Sequence, residues 1–268
     1  MSLTGEPSYC ALESFASNAE APYSLEGMFH PDGPTFVELI KQALSSTERG
    51  YDLLAKKFDY TPFRTPKPIV KTMVEFMAEG SPGGTVKSAV DYCCGTGAAL
   101  SAMRALCTET LVGVDFSAGM LAEARQAAEA APGTAAIELV QQDVFSCDFR
   151  ERFDLATSVG AFGHILPEDE ERFLQMIYAS LRPGGRFVFV TTRMPPVTSP
   201  SYWMARGFNA SMHIRNALIQ PQFIMYYLTF MWPEISSVLS KVGFKVRGVE
   251  RRCPAPYEQV VLVEATKP

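Results

Sequence analysis

Ser88-Ala-Val-Asp-Tyr-Cys-Cys-Gly-Thr-Gly-Ala-Ala-Leu100 is the stretch from which the rest of the chain is read. Ala89 and Val90 end a short buried strand, and the Ala-, Leu- and Met-rich run from Ala98 to Cys107 predicts a helix. Between them Gly95 and Gly97 allow a sharp turn and a close approach of backbone to a ligand. A strand, glycine turn and helix of this kind is weak evidence alone, since any α/β protein can contain one. Two residues narrow it. The dinucleotide fingerprint needs a third glycine three residues after the second, and that position is Leu100. Asp91, at the strand end, repels a diphosphate and favours a ligand with a cationic part.

The 268 residues fit one large domain with an insertion, or a core with a small cap. A net charge of −5 and the absence of a basic run argue against a nucleic-acid partner. The six cysteines include no CxxC pair, which points to free thiols in a reducing, cytoplasmic setting and to no metal site. The N-terminus lacks the basic and apolar pattern of a signal peptide. The longest apolar run, Phe223 to Trp232, is too short for a transmembrane segment.

Residues 1 to about 33 show no period and read as a partly ordered arm. Apolar residues at helical spacing predict helices over Phe36 to Leu44 and around Tyr51 to Phe58. A third helix is predicted from Thr65 as N-cap, with Pro66 at its first position, to about Ala78. Gly80-Ser-Pro-Gly-Gly84 is the clearest boundary, so 1–84 reads as arm and helical cap and 85–268 as the core. In the core, strands over about 87–92, 111–115, 137–143, 153–159 and 186–191 alternate with helices. Ser117 is the expected N-cap of the helix through Glu129, and a second core helix runs from about Glu168 to Leu181. Strands near 244–251 and 259–265 follow a helix over 233–242. The predicted fold is therefore α/β and Rossmann-like. It has a seven-stranded, mostly parallel sheet with helices on both faces, an N-terminal helical cap and a lid insertion over 194–232.

Asp91, Asp115 and Asp143 fall at the ends of three successive strands, the edge at which parallel sheets bind ligands. Asp115, twenty-four positions after Asp91, can accept hydrogen bonds from both hydroxyls of a ribose; its competing reading is a helix-capping Asp. Phe116 or Met120 can lie against an adenine face, and Met120 can equally be core.

The pattern Asp91-x-Cys93-x-Gly95-x-Gly97 resembles the first motif of the class I S-adenosylmethionine-dependent methyltransferases, with Cys93 where the family has its first glycine. Leu181-Arg-Pro-Gly-Gly185 resembles the turn before strand five of the same family, and together the matches cover about Val90 to Val190. The resemblance implies S-adenosyl-L-methionine as cofactor and methyl transfer to a small-molecule acceptor, here lipophilic or aromatic. It implies that Asp143 bonds the adenine amine, with the Val144 N–H on a ring nitrogen. The Ser158 and Val159 carbonyls would meet the cofactor ammonium. Tyr51, in a Tyr51-Asp52 pair, would close over the cofactor. Arg64 can meet the cofactor carboxylate through its guanidinium fork; the competing reading of Tyr51 and Arg64 is a surface role. The competing reading of Asp143 is a loop Asp capping the next turn.

His164, in the loop after strand four, is either a general base for an acceptor hydroxyl or amine or a packed histidine bonded to backbone. His30 and His213 have no partners at metal-ligand spacing. The aromatic- and Met-rich stretch from Ser201 to Trp232 is a substrate lid, a buried helical pair, or a homodimer face. Two rival functions are a nicotinamide-dependent oxidoreductase, opposed by Leu100 and Asp91, and a non-catalytic binding module that keeps the fold.

Overall fold

The computed structural model describes residues 30–61 and 63–268. The expected arm lies almost wholly outside the described residues, as does Cys10. The chain opens with helices α1 (Phe36–Ala43) and α2 (Thr47–Leu54), a 3-10 segment Ala55–Tyr60, and α3 (Lys67–Glu79). The alternating part runs β1 (Val86–Tyr92), α4 (Ala98–Met103), β2 (Cys107–Asp115), α5 (Ala118–Ala130), β3 (Ala136–Gln141), β4 (Phe153–Thr157), α6 (Glu170–Ser180) and β5 (Leu181–Thr192). The last elements are α7 (Pro200–Leu218), α8 (Ile235–Val242), β6 (Lys245–Val249) and β7 (Val260–Thr266).

The seven strands lie in the order β3-β2-β1-β4-β5-β7-β6. β7 runs antiparallel to both neighbours and every other pairing is parallel, as expected. The pleat sorts the side chains into two layers. Val90, Tyr92, Val112, Val114, Phe187 and Phe189 face a layer with Phe173, Ile177 and Leu239. Ala89, Leu111, Val188 and Leu262 face Met73, Phe76, Leu100, Met103 and Ala124 on the other side. Burying each such aromatic or aliphatic side chain contributes about 1.5–3 kcal/mol. The strand order reverses between β1 and β4, which places a crevice at the C-terminal ends of those strands.

Several boundaries differ from expectation. The helix over Ala98 to Cys107 stops at Met103, because Cys107 already pairs with Val86 and opens β2. The N-cap of α3 is Pro66, not Thr65; Pro68, also lacking an N–H, fits the first turn one residue later. β3 ends at Gln141 and β4 at Thr157, so Asp143, Ser158 and Val159 sit on the loops that follow. Ser117 is the N-cap of α5, accepting from the Met120 N–H.

The insertion is one helix, α7, followed by irregular chain from Ile219 to Trp232, rather than a helical pair. Asn216 holds the two parts together: its Oδ1 accepts from Phe223 N at 2.9 Å and its Nδ2 donates to Phe223 O at 3.0 Å. Tyr226 is buried, its ring 4.7 Å from that of His213 and its hydroxyl 3.2 Å from Asn216 Nδ2. Tyr227 packs on Phe208 and donates its backbone N–H to Asn209. These tyrosines form the insertion's own small core. Tyr226→Ala should cost about 3 kcal/mol, as aromatic truncations do. That lowers the melting temperature of the ligand-free protein by roughly 6–12 °C. An unchanged melt would return Tyr226 to a ligand-facing role.

Candidate active site

A cavity of about 100 Å³, open to solvent, lies at the β1–β4 crevice. Its floor is the glycine turn, with Asp91, Cys93, Cys94, Gly95 and Thr96; one wall is Asp115, Phe116 and Met120; the opposite side is Val159, Gly160, Ala161 and His164. Tyr51, Phe58, Phe63 and Arg64 close it from the cap. Gly97, Asp143, Val144 and Ser158 do not line it.

The turn keeps its shape through three residues at positive φ: Cys93 at 55°, Gly95 at 53° and Gly97 at 82°. Cys93 thus occupies the left-handed region in the place where the family motif carries glycine, at a cost of about 1–2 kcal/mol for a side chain. The two glycines do different work. A Cβ at Gly95 meets nothing within 4 Å, so this glycine faces the cavity. A Cβ at Gly97 lies 2.9 Å from Ala124 Cα, so this glycine lets α4 pack against α5.

Asp91 is 1% exposed, and its Oδ1 has no hydrogen-bond partner. Burial, then the charge of Asp115, pushes its carboxyl well above the usual carboxylate range. An unpartnered buried carboxylate oxygen on a cavity floor is suited to a cationic ligand group, which would hold the carboxylate ionised. Asp115 is buried rather than at an open strand end. Its Oδ2 accepts from Gly95 N at 2.9 Å and its Oδ1 from Ser117 N at 2.9 Å. Desolvation raises its pKa against the pull of those N–H groups. Asp115 therefore holds the glycine turn to the start of α5 as well as facing the cavity.

Asp143 is exposed and its Oδ1 accepts from Phe145 N at 2.8 Å. This is the loop-capping geometry that competed with the adenine reading. Val144 is buried in the 3-10 turn behind it and belongs to the core. Ser158 is fully buried and its hydroxyl has no partner.

The cap is fastened to this site by bonds that residue spacing did not announce. Asp52 Oδ1 accepts from Ser117 Oγ at 2.5 Å and Gly119 N at 2.9 Å, and Thr96 Oγ1 donates to Asp59 at 2.7 Å. Tyr51 Oη lies 2.7 Å from His164 Nε2. On its other side His164 Nδ1 faces the Ile224 carbonyl at 2.5 Å, and Ile224 N donates to Thr47 at 2.8 Å. A carbonyl only accepts, so Nδ1 carries the proton, and Nε2 accepts from the Tyr51 hydroxyl. Burial lowers the His164 pKa, so the ring is neutral at pH 7. His164 thus joins both readings: it is bonded to backbone and it faces the cavity. The insertion does not line the cavity but supports His164 from behind through Ile224.

Residues 89–185 match a family model described as a methyltransferase domain. The stretch from β1 into β5 is thus similar to a methyltransferase domain. Over 164 residues, 58% of its length, the chain is 33% identical to the demethylmenaquinone methyltransferase of Desulfitobacterium hafniense (strain Y51). Over 124 residues, 45% of its length, it is 31% identical to the 2-phytyl-1,4-naphtoquinone methyltransferase of Nostoc punctiforme. The chain spans 62% and 53% of the length of these two relatives. Among solved structures, an O-methyltransferase family protein from Burkholderia thailandensis superposes with a TM-score of 0.59 at 14% identity, covering 91% of this chain and 67% of its own. The magnesium protoporphyrin IX methyltransferase of Synechocystis PCC 6803 with bound SAH does so with a TM-score of 0.54 at 17% identity, over 75% of this chain and 83% of its own. At these identities the structures show the shared fold.

No helix among the described residues is long and apolar enough to cross a membrane, and none of their His, Cys, Asp and Glu side chains group as a metal site. Cys93, Cys94, Cys107, Cys147 and Cys253 are all free thiols.

Proposed function

We propose that this methyltransferase domain uses S-adenosyl-L-methionine to methylate a small, lipophilic aromatic acceptor that carries a hydroxyl, of the naphthoquinol class. The observation that carries the reading is a single cavity with the unpartnered carboxylate oxygen of Asp91 on its floor and the Tyr51–His164 pair at its side. The relatives' names, demethylmenaquinone and 2-phytyl-1,4-naphtoquinone methyltransferases, support the acceptor class.

In this reading Asp91 meets the cofactor's cationic end, and Gly95 leaves room for it. Asp115 accepts from the ribose hydroxyls with the lone pairs its backbone donors leave free. Phe116 and Met120 flank the adenine, and Arg64 faces the carboxylate through its guanidinium fork. When bound, the cofactor supplies a methyl carbon already activated by its sulfonium. The chain's contribution is positioning, exclusion of water and removal of the acceptor's proton. The cavity wall is mostly apolar on the Phe58, Phe63, Val159 and Ala161 side, where an aromatic ring would lie. An acceptor hydroxyl beside Tyr51 can pass its proton to the phenol oxygen as the phenol proton moves to His164 Nε2. Ile224 keeps the Nδ1 proton in place throughout.

Calorimetry with S-adenosylhomocysteine, followed by transfer of labelled methyl to reduced naphthoquinones, tests the reading. Binding and transfer are expected. Binding of NAD in place of S-adenosylhomocysteine would favour the oxidoreductase, and binding of neither would favour a non-catalytic module. Asp115→Ala should weaken S-adenosylhomocysteine by about 1.5–3 kcal/mol. Because it also frees the Gly95 and Ser117 N–H groups, it should lower the ligand-free melting temperature. Unchanged affinity would remove Asp115 from the ribose role.

A further inference from the structure

We infer that the outer face of α7, with the exposed face of α1, docks on an anionic phospholipid bilayer surface. α7 is nineteen residues long, yet only Ala205 and Asn216 in it are buried. Trp203, Gly207, Ala210, Ile214 and Leu218 follow one another at spacings of three and four, so they form one stripe along the helix. All five are exposed, Trp203 at 64%, Ile214 at 62% and Leu218 at 79%. The stripe is about 22 Å long at the helical rise per residue. Val197, 63% exposed, extends it past the N-terminus, where its carbonyl accepts from the Trp203 indole.

α1 repeats the pattern. It has no buried residue, and Phe36, Val37, Ile40 and Leu44 are all exposed. The Arg215 guanidinium joins the two elements by donating to the Ala43 and Ser45 carbonyls, which brings the ends of both helices together near Leu44 and Leu218. Contiguous exposed apolar surface on this scale marks an interaction site.

Charge selects the partner. The protein carries a net charge of −5, yet no Asp or Glu occurs anywhere from Arg172 to Pro233. The titratable groups of α7 are Arg206, His213, Arg215 and Tyr202. The groups that face it from its neighbours are neutral: Tyr226 on His213, the Ala43 and Ser45 carbonyls on Arg215 and Tyr227 on Asn209. The α7 face is apolar with only basic charges, and Glu38, the one acid of α1, is paired with Lys57; such a surface on an otherwise acidic molecule fits an anionic lipid surface. α7 is not apolar enough to span a membrane, so it would lie in the interface with its stripe against the acyl boundary. The docking stands on this surface alone. Its use, delivering a lipophilic acceptor from the bilayer, rests on the function proposed above, because the chain following α7 supports His164 through Ile224.

The test is co-sedimentation of the full chain with vesicles of phosphatidylcholine alone and of phosphatidylcholine with phosphatidylglycerol, without cofactor or acceptor. The wild type should pellet with the anionic vesicles, and raised salt should weaken it. The double variant Ile214→Glu, Leu218→Glu, both at exposed positions, should cut the pelleted fraction at least tenfold while its far-ultraviolet dichroism stays unchanged. A blue shift of tryptophan emission on vesicle addition should disappear in Trp203→Phe. The inference fails if the wild type stays in solution with both vesicles, or if the double variant pellets as well as the wild type. It also fails if light scattering shows a dimer that the same double variant dissociates, which would make the face a contact between two copies. Since no methyl transfer is read, failure here leaves the proposed activity standing, and failure of that activity leaves the docking standing.

Discussion

Removing the Tyr51 hydroxyl is expected to lower kcat by about 10²–10⁴-fold while affinity for S-adenosylhomocysteine stays within about twofold, the range for a lost acid–base group. Tyr51→Phe is the cleaner variant of the pair, because it leaves His164 Nδ1 on the Ile224 carbonyl and so leaves the insertion's support in place. His164→Ala should lose at least as much activity, but it also frees Ile224 and should lower the ligand-free melting temperature. The pH profile supplies the sign. Burial lowers the His164 pKa below its ordinary value of 6.5, so the base is in its working, neutral form at pH 7. Activity should therefore fall only as pH drops through a limb lying below 6.5. A limb at or above 6.5, or a Tyr51→Phe enzyme with unchanged kcat, would show that the acceptor loses its proton without this pair. The catalytic role would then reduce to holding the acceptor beside the cofactor.

The same pair shows where sequence reading stops. The alternation of strands and helices, the seven-stranded sheet and the family resemblance were legible because pleat, helix period and glycine turn are local patterns. Asp91, Cys93, Gly95, Asp115, Phe116 and Met120 are consecutive to those patterns, and the structure puts all of them on one cavity. Tyr51 and His164 stand 113 residues apart, and nothing in spacing predicts that they touch. The Asp52 bond to Ser117 and the Thr96 bond to Asp59 are of the same kind. A hint was present in Tyr51-Asp52 as a pair, since adjacent residues on a helix point in different directions. Here one reaches His164 and the other the start of α5. Asp143 lies off the cavity lining for a different reason. The strand was read two residues too long, and an Asp two residues past a strand serves its own loop as readily as a ligand. The insertion was read from its place after strand five and from its composition, and composition cannot separate aromatics that pack on each other from aromatics that face a ligand; here Asn216 bonds Phe223 and the Tyr226 hydroxyl within the insertion.

Gly97→Val should unfold the site rather than simply block it. From the sequence, a branched side chain at this position is expected to fill ligand space while the following helix still forms. The structure gives a different cause. Gly97 has φ +82°, and a Cβ built on it lies 2.9 Å from Ala124 Cα, 3.0 Å from Ala124 Cβ and 3.3 Å from Ala124 O. Backbone atoms of α5 cannot move aside as a flexible side chain would, so α4 and α5 must separate. Left-handed backbone costs about 1–2 kcal/mol for a residue with a Cβ, and overpacking adds about 1–3 kcal/mol. A total of about 2–5 kcal/mol should lower the ligand-free melting temperature by roughly 5–15 °C. Gly95→Ala is the counterpart. Its φ of +53° carries a similar backbone cost, but its new methyl meets no protein atom within 4 Å and projects into the cavity. That variant should melt within a few degrees of the wild type and lose S-adenosylhomocysteine affinity at least tenfold. Two glycines two residues apart thus predict opposite balances of stability and binding. Thermal melts of both ligand-free variants beside calorimetric titrations read them directly. A Gly97→Val protein that melted like the wild type while failing to bind would put the ligand, not Ala124, against Gly97 and reverse the assignment of the two.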